Sequence, residues 1–487
     1  MSPIVVIGAG LGGLATAIRL AAAGRDVTIV EAEQVPGGCC GTANMGEYRF
    51  DTGPSVLTMP DVLADVFAAA GEDMESVLPL RRLDPYYRLR YHDGSHLDVV
   101  PGEDAMIEQV RGLCGAAEAD RYRRFRALLG ELFAAEWPAF IDRDMTRLRN
   151  LARPRVLARL AALGGFRRLE SLVESHLTDA RLVKAHTFQA LYVGLAPRQA
   201  LGIYAVVAHM DTVGGVFFPR YGGMHAIPQA MAAVAEKAGA QIRYGVRAAK
   251  VETGPGGGVC AVRLDTGERL AAGHVVVACD LPRAHAGLLP EEAYDWRLRR
   301  PRYSPSCLVL HFGLDRRLSG QAHHTLHFGR QWAATFSALK EGRPQPDPNL
   351  LVTYPESDGD AAPDGHATLT VLEPTTNLHG ANDWDRLTPQ LENRLFRRLA
   401  DLGYGDLTTA PRLTFDPPAW ARLGHSAGTP FALDHRFTQT AWFRPSGVAR
   451  RVPGLHFAGM YTAPGVGVPP VLISGKLAAE RVLGTSR

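Results

Sequence analysis

Cysteine is scarce, with six thiols in 487 residues, no Cys-x-x-Cys pair and no regular spacing. That excludes a disulfide framework or a redox dithiol centre and fits free thiols in a reducing compartment. Charge of one sign is scarce too: the formal net charge is +3, so no global field argues for a nucleic-acid partner. No uninterrupted apolar run reaches the roughly 18 to 20 residues that a membrane-spanning helix needs. The first strand pattern begins at Ile4, leaving no room for a secretory signal, so a cytoplasmic protein is expected. A Walker A pattern is missing, which argues against P-loop chemistry, and internal repeats and low-complexity linkers are missing as well. What is present is an ordinary globular composition, 46% hydrophobic and 21% charged, over a length that calls for two or three domains.

The opening reads as strand, glycine turn, helix, strand. Ile4-Val5-Val6-Ile7 is a continuous apolar run of the kind a buried parallel strand shows. Gly8-Ala9-Gly10-Leu11-Gly12-Gly13 fits G-x-G-x-x-G, a helix is predicted over 14–23, and Glu31 closes a second strand at Val27-Thr28-Ile29-Val30. Gly8 permits the tight turn, Gly10 lets backbone approach a pyrophosphate, and Gly13 allows close helix–strand packing. The helix start offers free N–H groups, and Glu31 can accept hydrogen bonds from a ribose hydroxyl.

The fingerprint alone does not separate FAD from NAD, but three further features favour FAD. Gly37-Gly38 and Asp51-Thr52-Gly53-Pro54-Ser55 expose backbone soon after Glu31, along the course of a long cofactor. Residues 241–280 read as a β-meander ending at Asp280. The chain closes on Phe457-Ala458-Gly459-Met460 and then Gly465-Val466-Gly467-Val468-Pro469-Pro470, a second helix start that can face a flavin ring. No second fingerprint for a nicotinamide exists, which makes oxygen or a quinone the expected electron acceptor.

Between the two ends, alternation around Asp93-Gly94 predicts a hairpin over 84–100. A helical region rich in Arg and Leu covers 104–215, and 301–440 reads as mixed, with proline-rich loops near 343–363. Residues 143–168 carry eight arginines against one acid, interleaved with leucines. Such a basic amphipathic stretch suits an anionic membrane surface as well as a solvated helix face.

At this point the chain resembles the bacterial-type phytoene (carotenoid) desaturases, FAD-dependent members of the flavoprotein amine oxidase-like superfamily, over essentially its whole length. The specific segments are Thr438-Gln439-Thr440-Ala441-Trp442-Phe443-Arg444-Pro445, Pro464-Gly465-Val466-Gly467-Val468-Pro469 with Ser474-Gly475-Lys476, and Ala322-His323-His324-Thr325. Ala362-Pro363-Asp364-Gly365, running on to Leu372-Glu373-Pro374, is similar as well. Two departures stand near the expected flavin: Cys39-Cys40 where relatives carry Arg, and Ala463 where they commonly carry His.

The fold class expected is α/β, with a Rossmann-like FAD-binding domain (a glutathione-reductase-like parallel sheet with a β-meander), a mixed-sheet substrate domain and a helical cap. The expected boundaries are 1–75, 216–290 and 440–487 for FAD, 76–118 and 291–439 for substrate, and 119–215 for the helical, membrane-associating part. Cofactor-binding candidates are Gly8, Gly10, Gly12, Gly13, Glu31, Ala32, Gly37, Gly38, Gly53, Pro54, Ser55, Ala248, Gly459, Met460, Gly467, Val468 and Pro469.

The resemblance implies desaturation of a long polyene by hydride transfer to flavin with proton loss, on a lipophilic substrate drawn from the inner face of the cell membrane. Homo-oligomers are compatible with it. It also implies that Arg143, Asp144 and Arg147 assist proton movement; on a helix, Asp144 and Arg147 would pair at i,i+3. An oxidase or isomerase acting on another polyene, terpenoid or amine is the alternative. No metal is expected, because adjacent His323 and His324 on a strand would point to opposite faces. Cys39 and Cys40 are expected as buried thiols.

Overall fold

The computed structural model describes residues 2–355 and 361–485, so part of the 343–363 loop expectation lies outside the described residues. Two sheets and a group of helices organise the chain. The first sheet has five parallel strands in the order Leu455–Phe457, His274–Val277, Ile4–Ile7, Val27–Val30 and Gln241–Arg243. Ile4–Ile7 is central and all four residues are buried, as its apolar run requires. Strands from three distant stretches therefore build one sheet, and its two flanking neighbours at the centre come from residues 27–30 and 274–277.

Residues 241–243 depart from the expected meander. They add an edge strand to the parallel sheet, and the meander itself is three-stranded, over Ala248–Thr253, Val259–Leu264 and Arg269–Ala271. Gln241–Arg243 is too short to show a period of its own, so neighbouring strands decide its partner.

The second sheet is seven-stranded and mixed, in the order Arg412–Phe415, Ser306–Leu314, Ala367–Thr375, Leu350–Thr353, His324–His327, Tyr87–Arg90 and His96–Val99. Its only parallel pairing among the described residues joins His324–His327 to Tyr87–Arg90. The hairpin predicted over 84–100 is present, with Asp93 accepting a hydrogen bond from the Ser95 N–H in its turn.

The expected helical region contains Glu103–Cys114, Ala116–Glu136, Pro154–Ala162, Leu169–Glu174, Ala180–Ala185 and Ala205–His209. Two of these helices run on into π-turns, at Trp137–Ile141 and Met210–Gly214. One buried apolar cluster links Leu14 and Ile18 of the opening helix to Leu89 and Leu97 of the hairpin and Phe125 and Leu129 of the long helix. The nucleotide-fingerprint end and the helical region thus share a core, which holds the space between them at a fixed width.

Candidate active site

The two chain termini meet directly. The opening helix Leu11–Ala22 packs on the closing helix Val468–Leu483, and the Thr16 hydroxyl donates to the Gly475 carbonyl at 3.2 Å. A Cβ on Gly475 would strike the Gly12 carbonyl oxygen, and one on Gly12 would come within 3.1 Å of the Gly459 nitrogen. Small residues at both crossing points let the two helix starts sit side by side.

Both starts lack a side-chain cap. Gly10 and Gly467 are the N-cap residues; the opening helix presents the first-turn N–H groups of Leu11, Gly12 and Gly13, whereas Pro469 and Pro470 leave the closing helix only that of Val468. Uncapped first turns that open on a cavity are anion sites by construction. The segments expected to expose backbone are stacked beside them. Gly37 donates its N–H to the Ala9 carbonyl at 2.9 Å, and Gly53 lies so close to Cys39 that a Cβ there would overlap the Cys39 carbonyl. Glu31 is buried; its Oε2 accepts from the Ala9 N–H at 2.6 Å and its Oε1 from the Glu33 N–H at 2.9 Å. Two oxygens carry more lone pairs than these two bonds use, so the carboxylate keeps capacity for ligand hydroxyls.

A continuous cavity of about 1960 Å³ runs from this junction into the interior. Every cofactor-binding candidate except Gly13 lines it: Gly8, Gly10, Gly12, Glu31, Ala32, Gly37, Gly38, Gly53, Pro54, Ser55, Ala248, Gly459, Met460, Gly467, Val468 and Pro469. Gly13 instead packs against the first strand, where a Cβ would overlap the Gly8 carbonyl. The residues fit a dinucleotide: two free helix starts, a buried acid and a glycine-lined floor occupy one wall.

Farther in, the walls become apolar and aromatic, with Phe140, Leu157, Leu160, Phe166, Phe188, Leu191, Val206, Leu326, Phe328 and Trp332. Two acids missed by the sequence reading stand among them. Glu136 ends the long helix and is buried, its Oε1 has no hydrogen-bond partner, and burial pushes its carboxyl well up. Asp211 lies in the second π-turn, and burial pushes it up to about 8. Each sits in an apolar run of the sequence (Phe133-Ala-Ala-Glu136 and Val207-Ala-His-Met-Asp211), a signal that could have flagged them.

The helical pairing expected of Asp144 with Arg147 needs correction. Residues 142–147 are not helical, and none of the three residues lies on the cavity wall. Asp144 does not pair with Arg147; its Oδ1 accepts from the Arg481 guanidinium of the closing helix at 3.1 Å. Burial opposes ionisation of Asp144, but Arg481 outweighs it and holds the carboxyl below its ordinary range. Beside it, Lys476 donates to Asp142 at 2.8 Å. These ion pairs fasten the helical region to the closing helix.

His323 and His324 also differ from expectation, for their rings touch, with centroids 4.4 Å apart, because His323 precedes the strand instead of continuing it. Among the described residues no group of His, Cys, Asp and Glu could hold a metal. All six thiols are free; Cys40 is buried and Cys39 lines the cavity, where burial raises it to about 12. Gly424-His425-Ser426-Ala427-Gly428 has the spacing of a hydrolase elbow, but the Ser426 hydroxyl donates to Asp280 at 2.6 Å. That leaves it a loop anchor.

The profile of a family described as flavin containing amine oxidoreductase matches residues 11–483. Phytoene dehydrogenase of Streptomyces griseus is 46% identical, over 99% of this chain and 95% of its own length. A zeta-carotene-forming phytoene desaturase of Myxococcus xanthus is 35% identical, over 99% and 93%. Among solved structures, an oxidoreductase from Methanosarcina mazei superposes with TM-score 0.61 at 17% identity, covering 99% of this chain and all of that one. Putrescine oxidase bound to putrescine superposes with TM-score 0.64 at 14% identity, covering 99% of each. These two likenesses speak for the fold alone.

Proposed function

The chain belongs to the flavin-containing amine oxidoreductase family, among the phytoene desaturases, and from that premise we propose that this FAD-dependent oxidoreductase introduces double bonds into a long acyclic polyene such as phytoene. The observation that carries the substrate reading is one large cavity that opens on the two helix starts and runs on between largely apolar and aromatic walls. An amine or a small polar substrate would not need such walls; an extended hydrocarbon does.

Bound FAD would supply the two-electron acceptor for a hydride from one carbon, the neighbouring carbon losing a proton as the double bond forms. The protein's part is to hold and exclude. The uncapped turn at Gly10 would hold the pyrophosphate, the positive end of the closing helix at Gly467 would face the flavin ring, and Glu31 would hold a ribose. The aromatic walls keep water from the reacting bond and align it. Burial pushes Asp211 up to about 8 and Glu136 well above its ordinary range, which disfavours a formal charge on the wall that a hydrocarbon would meet. Residues 1–75, 216–290 and 440–487 would form the cofactor domain, and the electrons would pass on to oxygen or a quinone. Expression in a phytoene-accumulating host tests the assignment: products should lose two hydrogens per step and absorb at longer wavelength. Unchanged phytoene with FAD bound overturns it, and a product of unchanged mass makes the enzyme an isomerase.

We also propose that the basic stretch lies on an anionic membrane. No helix among the described residues is long and apolar enough to cross one. Yet Leu151, Leu157, Leu160 and Phe166 line the cavity while Arg155 and Arg159 face solvent, which joins the tunnel to the basic surface. Charge reversal at Arg153, Arg155 and Arg159 should abolish co-sedimentation with anionic liposomes; retained binding refutes the idea.

A further inference from the structure

Arg444 is 1% exposed, yet its guanidinium donates to carbonyl oxygens alone: those of Gln439 at 3.2 Å, Leu433 at 3.3 Å and Met460 at 2.7 Å. No carboxylate among the described residues accepts from it, and its Nε has no hydrogen-bond partner. Asp434, the acid of the same segment, already serves others. Both its oxygens accept from Arg436, and its Oδ1 also accepts from Gln439 Nε2 at 2.9 Å. Burial lowers the Arg444 guanidinium to about 10, with Tyr204, Asp434 and Tyr461 offsetting only part of that, so the group is still a cation near neutral pH. Two arginines thus share one acid, and the excess charge is the buried one. A buried ion without a counter-charge is costly unless something beside it becomes anionic.

The cation stands directly behind the cofactor wall. Gly459 and Met460 line the cavity, and their turn is held from two sides. The Gly459 N–H donates to the Ser474 hydroxyl of the closing helix at 2.7 Å, and Arg444 donates to the Met460 carbonyl. Gly459 is also the residue that a Cβ on Gly12 would approach, so this turn lies where the two helix starts meet. The neighbouring His435 carries no charge. A Cβ on Gly465 would overlap its ring, its Nε2 accepts the Val466 N–H at 3.4 Å, and burial, with Arg444 nearby, holds it well below its ordinary range.

We propose that Arg444 is a positioning residue for the flavin: it fixes the Gly459–Met460 turn and, as a buried cation without a counter-charge, favours the reduced, anionic flavin over the oxidised, neutral one. A hydride carries two electrons and one proton, so the flavin that takes it gains one negative charge. Arg444 balances that charge with no further proton arriving. The two roles are separable, because holding the turn acts on both oxidation states alike, whereas the charge acts on the state that gains electrons. The inference rests on the flavin assignment and does not depend on which polyene is the substrate.

The test is the midpoint potential of the purified flavin-loaded protein, measured by equilibration with a reference dye and needing no substrate. Arg444→Met should shift the preference from reduced toward oxidised flavin at least tenfold, read as a potential lower by at least about 30 mV for a two-electron couple. Arg444→Lys, which keeps the charge, should recover at least half of that shift. Ser474→Ala loosens the same turn without changing charge; it should weaken FAD retention but move the potential less than half as far. In the wild type the reduced flavin should be anionic at pH 6, read from its absorption spectrum. An unchanged potential in Arg444→Met with flavin bound, no recovery in Arg444→Lys, or an equal drop in Ser474→Ala overturns the proposal. So does a neutral reduced flavin in the wild type at pH 6, a reading that decides even if Arg444→Met fails to fold. A protein that takes up no FAD at all overturns the flavin assignment itself, and this inference with it.

Discussion

Gly10 and Gly13 look alike in the fingerprint, yet they act on different quantities. A Cβ on Gly10 would stand 3.8 Å from the nearest backbone atom, in ordinary contact and facing the cavity, whereas one on Gly13 would overlap the Gly8 carbonyl. Gly10→Val should therefore leave the fold largely intact and abolish FAD retention, read as the flavin-to-protein absorbance ratio; full flavin occupancy would refute the cofactor's location. Gly13→Ala should lower the melting temperature in the apoprotein as well, because strand and helix must part. The glycine spacing was legible in the sequence because the whole turn is local. Glu136 and Asp211 were flagged only weakly, since an acid in an apolar run marks a candidate but its burial on the cavity wall comes from the fold.

Among the elements, the ends of the chain were legible and the joint between helical region and closing helix was not. Residues 143–147 carry alternating charge, and a helix was the natural expectation; instead Asp144 reaches Arg481, 337 positions away. No local pattern encodes a partner at that separation. Both side chains are about nine-tenths buried, so Arg481→Ala should cost about 3 kcal/mol in a denaturation experiment, as expected for breaking a buried pair from one side. Asp144→Asn should also destabilise, because it leaves the buried Arg481 guanidinium without its counter-charge while keeping an oxygen that can accept from it. Turnover per bound flavin separates this role from the catalytic one: Asp144→Asn should keep it within about twofold, whereas loss of a proton-transfer group costs about 100-fold or more. The strand at 241–243 went astray for a related reason, since three residues take their sheet from neighbours far along the chain.

At the scale of the whole molecule, burial disfavours charge on one set of histidines and one set of acids, and their opposition sets where the protein is most stable. Burial lowers His186, His209 and His311 to about 4, and His324, His327 and His456 to about 3, from an ordinary 6.5. A group whose folded value is depressed binds fewer protons folded than unfolded. The stability it contributes is complete above about pH 6.5 and is lost as the pH falls toward 4, at up to about 1.4 kcal/mol per pH unit for each histidine. The acids run the opposite way. Burial raises Asp211 to about 8 and Glu373 to about 7, and Glu136 lies well above its ordinary 4.5. Their contribution is complete below about pH 4 and is lost as the pH rises through these folded values. Between pH 4.5 and 6.5 the two sets oppose each other and the more numerous histidines prevail; above 6.5 only the acids still act. Stability should therefore peak near pH 6.5 and decline toward pH 8, seen as a maximum in melting temperature of the flavin-loaded enzyme. His186→Phe removes a ring wedged between Tyr122 and Phe125, whose Nε2 has no partner, and should flatten the acid limb. Asp211→Asn should flatten the alkaline limb and leave the acid one. A melting temperature that climbs steadily to pH 8 would mean that the cavity acids are ionised, and the uncharged tunnel on which the polyene reading depends would be lost with it.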